Sequence, residues 1–250
     1  MKRARIAWQG RAVWADLVDD DQWLRLANGE RVDATHAHWL PPVTPGATIF
    51  ALGLNYADHS AELGFAPPSS PLVFLKGHAT FVGHGGTARC PVDARQMHPE
   101  CELVAVIGAP ARKVRSEHAM DYVAGYTVAC DYAIREYLEN YYRPNLRVKN
   151  RDGCTPIGPW IVDAAEVGDP QALALSTHVN GALVQAGRSH DMVFGVSALI
   201  EYLSDFMTLM PGDMILTGTP HGVAFVKPGD RVICEIEGIG ALAHDVEVDR

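Results

Sequence analysis

From residue 48 onward, short apolar runs recur at 48–53, 72–75, 103–108, 125–130, 174–179, 214–217 and 231–236, with loops between them. Runs of four to six residues suit strands and are too short for buried helices. Helical patterns are few, at 116–122, 133–142 and 196–207, the last carrying Leu199, Ile200, Leu203, Phe206 and Met207 at helical spacing. Without regular strand–helix alternation the expected fold is α+β and mostly β, a mixed β-roll with a few helices rather than a doubly wound sheet. Ahead of it, runs at 5–8, 12–18 and 23–26 and the Asn28-Gly29 turn predict a small N-terminal β-meander. The Pro41-Pro42-Val43-Thr44-Pro45-Gly46 break then divides the chain into a small β region, 1–45, and a main domain, 46–250.

With 48% apolar residues the chain can supply a real core. No apolar run approaches the roughly 20 residues needed to span a bilayer. The Met1-Lys2-Arg3-Ala4-Arg5 start leads into Trp8-Gln9-Gly10-Arg11 rather than into a signal-peptide apolar region, so a cytoplasmic protein is expected. Five widely spaced cysteines with no CxxC pairing argue for reduced thiols, several of them buried, and against a disulfide framework or a zinc site. A formal net charge of −9 disfavours nucleic acid and anionic membrane as partners. No GxGxxG or P-loop marks a nucleotide site.

The densest chemistry lies in Met97-His98-Pro99-Glu100-Cys101-Glu102, which leads into an apolar run. On a strand Glu100 and Glu102 share a face, and two like charges that close are unfavourable unless a hard cation sits between them. A solvated edge strand with alternating glutamates is the competing reading. Asp131, closing the 125–130 run, is the natural third carboxylate, although a helix N-cap would also explain it. Three carboxylates without histidine or thiolate favour Mg²⁺ over softer ions, with Mn²⁺ or Ca²⁺ as alternatives. Arg135, Arg143, Arg147, Lys149 and Arg151 face only Glu136 and Glu139 between residues 135 and 151, a local +3 in an acidic chain. Such a cluster is usually a solvated face, but a carboxylated substrate would need it, and an extended segment would aim Arg147, Lys149 and Arg151 to one side. His59 and Glu62 are adjacent on a helical turn, where a carboxylate can make imidazole a better base. Surface pairs at that spacing are common. The flanking glycine-bearing loop and the Gly64-Phe65-Ala66-Pro67-Pro68 break suit a short lid. Thr217-Gly218-Thr219-Pro220 offers hydroxyls and amides to a carboxylate, or is simply a turn. His78, His84, His190 and His221 lack ligand spacing and read as surface or loop residues.

Taken in order, GLNYADHSAE, PLVFLK, HPECEL, MDYVAGYTVACDYAIREY, VKNRDGCTPIGPW and LTGTPHGV resemble the fumarylacetoacetate hydrolase family over roughly residues 48–248. The resemblance implies that family's mixed β-roll. It also implies metal ligation by Glu100, Glu102 and Asp131, a lid dyad of His59 and Glu62, and Lys149 facing the substrate. Arg135, Thr219 and Lys76 would bind the substrate's carboxylates. His98 fits the family pattern, whereas Pro99 departs from it beside the first ligand. The 131–149 stretch is similar to the branch that serves homoprotocatechuate (4-hydroxyphenylacetate) breakdown. That implies decarboxylation of 5-oxopent-3-ene-1,2,5-tricarboxylate and isomerisation of 2-hydroxyhepta-2,4-dienedioate, small di- and tricarboxylate 2-oxo acids. Hydrolysis of a C–C bond in an acylpyruvate or fumarylpyruvate is the alternative. A non-catalytic partner subunit ranks below both, because such a chain would be expected to lose a ligand or the dyad. A homodimer, or pairing with a homologous subunit, is expected.

Overall fold

The computed structural model describes residues 1–138 and 146–249. Strands dominate, and the large sheet runs Arg31–Asp33, Trp23–Leu26, Arg11–Val18, Lys2–Trp8, Thr155–Asp163, Val123–Cys130, Cys101–Ile107, Met214–Leu216, Ile49–Gly53, Leu72–Leu75. Its N-terminal third is an antiparallel meander with its own apolar cluster, including Ile6, Leu17, Leu24 and Val32. The meander's first strand, Lys2–Trp8, pairs antiparallel with Thr155–Asp163, so the same sheet continues into the body of the protein. Met214–Leu216 pairs parallel with Ile49–Gly53, which makes the sheet mixed. A second sheet of five strands is ordered Ala182–Arg188, Ala174–Val179, Arg231–Ile236, Gly240–Asp249, Thr87–Pro91.

Cys101–Ile107 is buried along its whole length, which explains its continuous apolar run. Cys101, Leu103, Ala105 and Ile107 enter the main core, while Val104 and Val106 join a smaller cluster on the opposite face. By that alternation Glu102 shares the face of Val104 and Val106. Its cross-strand neighbour is Ala129, two residues before Asp131 on the adjacent antiparallel strand. One face at the ends of two central strands therefore gathers all three acidic residues.

The helical expectations are met in part. Residues 116–122 form a 3₁₀ stretch, and Val196–Phe206 is an α-helix burying Val196, Leu199, Ile200 and Leu203. Phe206 is 60% exposed, so the apolar stripe is narrower than its spacing implied. The 133–142 helix does not form over its described part: Ala133–Ile134 pairs with Met97–His98 and a 3₁₀ turn spans Arg135–Tyr137. Strand pairing beside the carboxylates outweighs helical propensity there. Residues 139–145, with Glu139 and Arg143 of the basic cluster, lie outside the described residues.

Candidate metal centre

Glu100, Glu102 and Asp131 are buried, and each offers a carboxylate oxygen within 4.8 Å of those of the others. Two peptide contacts hold the ligand strands in register at this point. Asp131 N–H donates to Glu100 C=O at 2.9 Å, and Gly218 N–H donates to Glu102 Oε2 at 2.7 Å. Pro99 introduces no distortion into this pairing: Met97 and His98 before it and Cys101 after it are all in ladder register.

Three cations face the carboxylates. Lys149 Nζ lies 2.5 Å from Glu100 Oε2 and 2.9 Å from Asp131 Oδ2, Lys76 Nζ donates to Asp131 Oδ1 at 2.6 Å, and Arg135 Nη2 reaches Glu100 Oε1 at 2.9 Å. Lys76 and Lys149 are themselves buried. Formally the six side chains sum to zero, which is how so much charge is tolerated without water. The balance is uneven. Burial would raise the pKa of Glu100, but Lys149, His98 and Arg135 outweigh it and hold this carboxyl well below its usual range. Burial, then Asp131 and Glu100, push Glu102 well above that range, against the pull of Lys149. Burial would lower Lys149, yet Asp131, Glu100 and Glu102 keep it above its ordinary value.

Two oxygens show that the three cations do not complete the site. Glu102 Oε1 is buried without a hydrogen-bond partner, and Asp131 Oδ2, though close to Lys149, receives no well-aligned hydrogen bond. Three buried carboxylates converging within 4.8 Å, two of them with an unsatisfied oxygen, fit a hard divalent cation, which prefers such donors.

The expected lid is the helix Ala57–Glu62. His59 Nδ1 lies 3.2 Å from Glu62 Oε2, and the His59 ring is 5.9 Å from the ring of His98, which touches Glu100 and Arg135. The dyad thus lies one side chain away from Glu100, across His98. Glu62 accepts from the backbone N–H groups of Gly222 (3.1 Å) and Val223 (2.9 Å). Burial would raise its pKa, but these amides and His59 outweigh it and lower it.

Other site residues have specific attachments. Thr219 is buried, donating its hydroxyl to Cys101 C=O and accepting from Gln185 Nε2, both at 2.9 Å. The alternating reading of Arg147, Lys149 and Arg151 fails, because Leu146–Lys149 is helical. Only Lys149 enters the site; Arg147 stacks over Tyr137 at 4.1 Å and Arg151 pairs with Asp249 at 2.8 Å. Residues 135, 147, 149 and 151 are therefore no single positive face. His78, His190 and His221 are exposed and His84 half-buried. All five cysteines are free and buried, as expected. Sequence reasoning passed over Gln185 and Asn55, single polar residues in otherwise ordinary segments. Asn55 bonds the Thr217 and Phe194 backbones from a buried position.

The sequence model of the fumarylacetoacetate (FAA) hydrolase C-terminal region matches residues 48–247. The chain belongs to this family. The 4-hydroxyphenylacetate degradation bifunctional isomerase/decarboxylase of Salmonella dublin is 60% identical over 205 residues, covering 82% of this chain and 48% of that protein. The chain thus spans about half the length of the curated relatives it matches first. The 5-carboxymethyl-2-hydroxymuconate delta-isomerase of Mycobacterium smegmatis superposes with a TM-score of 0.88 at 33% identity over 100% of both chains. That likeness includes the N-terminal meander, beyond the 48–248 reach of the motifs. The fumarylpyruvate hydrolase of Pseudomonas aeruginosa, solved with Mn²⁺ and pyruvate, matches 84% of this chain and 91% of its own, with a TM-score of 0.77 and 33% identity. Among the described residues no helix is long and apolar enough to cross a membrane.

Proposed function

We propose that this chain is a divalent-metal-dependent enzyme of 4-hydroxyphenylacetate (homoprotocatechuate) breakdown. It decarboxylates 5-oxopent-3-ene-1,2,5-tricarboxylate and isomerises 2-hydroxyhepta-2,4-dienedioate to 2-oxohept-3-enedioate. The observation that carries this reading is the Glu100/Glu102/Asp131 cluster, countered by Lys76, Lys149 and Arg135. Because the six side chains are formally neutral, a bound dication leaves the site at +2, a charge that a dianionic 2-oxo acid cancels. The 60% identity to an isomerase/decarboxylase over 82% of the chain supports the choice of reaction.

Mg²⁺ is the favoured ion, held by Glu100, Glu102 and Asp131. When bound it would supply electron withdrawal from a chelated 2-oxo acid. Lys149 donates to Glu100 Oε2 and to Asp131 C=O, which leaves its third ammonium hydrogen to stabilise negative charge developing on a substrate oxygen beside them. His59, oriented by Glu62, is the group placed to move a proton to or from substrate carbon, and the Gly222 and Val223 amides fix Glu62 for that work. Thr219 and Arg135 border the site and would receive the substrate's carboxylates, Thr219 through its backbone N–H because its hydroxyl hydrogen is committed to Cys101 C=O, and Arg135 by shifting part of its bonding from Glu100. Self-pairing or pairing with a homologous subunit, and a cytoplasmic location, go with this reading.

The likeness to a fumarylpyruvate hydrolase favours a second reading, C–C bond hydrolysis, in which the dyad activates water. The test supplies the purified chain with Mg²⁺ or Mn²⁺ and offers it the tricarboxylate, the dienedioate and an acylpyruvate in parallel. CO₂ release and enone formation, both absent in Glu102→Gln, are expected. Carboxylic acid release from the acylpyruvate alone, or full activity in the variant, would overturn the proposal.

A further inference from the structure

Cys101–Ile107 pairs with Met214–Leu216 only over Val104–Val106. At Cys101, between two metal-ligand candidates, the strand edge has lost its neighbour, and its peptide groups are buried. Buried backbone polar groups demand partners. Here side chains from outside the sheet supply them. Gln185, 2% exposed on the Ala182–Arg188 strand of the second sheet, accepts from Cys101 N–H at 3.2 Å. Its Nε2 donates to Thr219 Oγ1 at 2.9 Å, and Thr219 Oγ1 in turn donates to Cys101 C=O at 2.9 Å. Three hydrogen bonds thus close a ring that grips the backbone on both sides of Cys101.

The rest of the Gln185 amide is occupied as well. Thr177 Oγ1 donates to Oε1 at 2.8 Å, and Nε2 donates to Pro220 C=O at 2.8 Å. Two donors and two acceptors are all engaged, so the amide has one orientation: a flip would set N–H against N–H at Cys101 and C=O against C=O at Pro220. The chain at 219–222 also lies flush on this strand. A Cβ on Gly187 would meet Pro220 Cβ at 2.4 Å, and one on Gly222, at φ +127, would meet Gln185 Cα at 3.0 Å. Gly222 N–H is one of the amides that hold Glu62.

We infer that Gln185 is a positioning residue that, through Thr219, fixes the backbone between Glu100 and Glu102 and so sets the metal affinity of the site. It simultaneously seats the loop whose amides hold the lid carboxylate. This inference rests on the reading of Glu100, Glu102 and Asp131 as metal ligands.

The experiment is Mn²⁺ titration of the 250-residue chain by calorimetry and by the paramagnetic resonance signal of free Mn²⁺, with melting temperature as a separate readout. Gln185→Met, close in volume but unable to bridge, is expected to raise the Mn²⁺ Kd at least tenfold, and Thr219→Val to do the same. The double variant should be little worse than either, because each opens the same ring. Thr219→Ser, which keeps the hydroxyl, should restore the wild-type Kd. Thr177→Val removes the remote bond to Gln185 and a long contact to Cys234 Sγ, leaves the ring at Cys101 closed, and should change Kd less than threefold. Variants that melt lower while binding Mn²⁺ like wild type would overturn the inference, leaving Gln185 a structural tie between sheets. If Gln185→Met does not fold, the Thr219→Val and Thr219→Ser pair decides on the same criterion. Wild type that fails to bind Mn²⁺ would instead remove the metal-site reading itself.

Discussion

Metal-free and metal-loaded protein should respond in opposite senses to Glu102→Gln. The glutamine keeps the shape of the side chain and can still accept from Gly218 N–H, but it removes one buried acid from a group of three. At a separation of 4.8 Å and an effective dielectric constant of about 20, one like-charge pair repels by about 3 kcal/mol. The protein can instead keep Glu102 protonated, and against an ordinary value of 4.5 that costs at most about 3 kcal/mol at pH 7. Lys149 offsets part of either cost, so a net penalty of about 1–3 kcal/mol is expected in metal-free wild type. The sign follows from linkage: the folded value is raised, so the folded state holds this proton at pH values where the unfolded chain has released it. Stability contributed by Glu102 therefore declines as pH rises above 4.5 toward the raised value. In EDTA at pH 7.5, Glu102→Gln should melt higher than wild type by roughly 2–12 °C, using about 2–4 °C per kcal/mol for a chain of this size. The gap should close as pH falls toward 4.5. In Mn²⁺ at a thousand times Kd the order reverses, since wild type gains about 4.1 kcal/mol from binding and the variant does not. Thermal melts of wild type and variant in the three conditions decide. A variant that melts below wild type in EDTA and gains as much from Mn²⁺ would refute the reasoning.

Replacing Glu62 with Ala leaves the Gly222 and Val223 amides without their acceptor and His59 without its orienting carboxylate; steady-state kinetics should show kcat falling by about 10²–10⁴-fold with a smaller change in KM. Because the folded pKa of Glu62 is lowered, its stabilising contribution is complete above 4.5 and lost as pH falls from there through the lowered value. The melting advantage of wild type over Glu62→Gln in EDTA should therefore shrink as pH falls below 4.5. Asn55→Ala strands the Thr217 C=O and both polar groups of Phe194, and should cost about 3 kcal/mol in denaturant unfolding. With five free thiols all buried, a thiol reagent should titrate fewer than one per chain in the native protein and five in guanidinium.

Strands were legible wherever burial imposed a pattern: 72–75, 174–179 and 231–236 were bounded to the residue, and the continuous run after Glu102 marked a strand covered on both faces. Glu100 and Glu102 could be paired from sequence because strand parity is local. Their neighbour Asp131 stood at a strand end for the same reason. What lay beyond reach depended on contacts distant in sequence. The turn at Arg135 is fixed by the pairing of Ala133–Ile134 with Met97–His98, which no periodicity at 133–142 reveals. Lys149 reaches the carboxylates from a helix, so the alternation of its basic neighbours was coincidental. Gln185 is 84 positions from Cys101, in a strand with only its burial to single it out.

The acidic residues stand at the ends of two adjacent antiparallel strands deep in the sheet, and the Thr219–Val223 segment that holds the dyad's carboxylate is bonded to the backbone between them through Thr219. Floor and ceiling are therefore one unit. A designer seeking new specificity would leave Thr219 and residues 100–107 untouched, because a change at that joint alters the cation-holding floor together with the acid the site accepts.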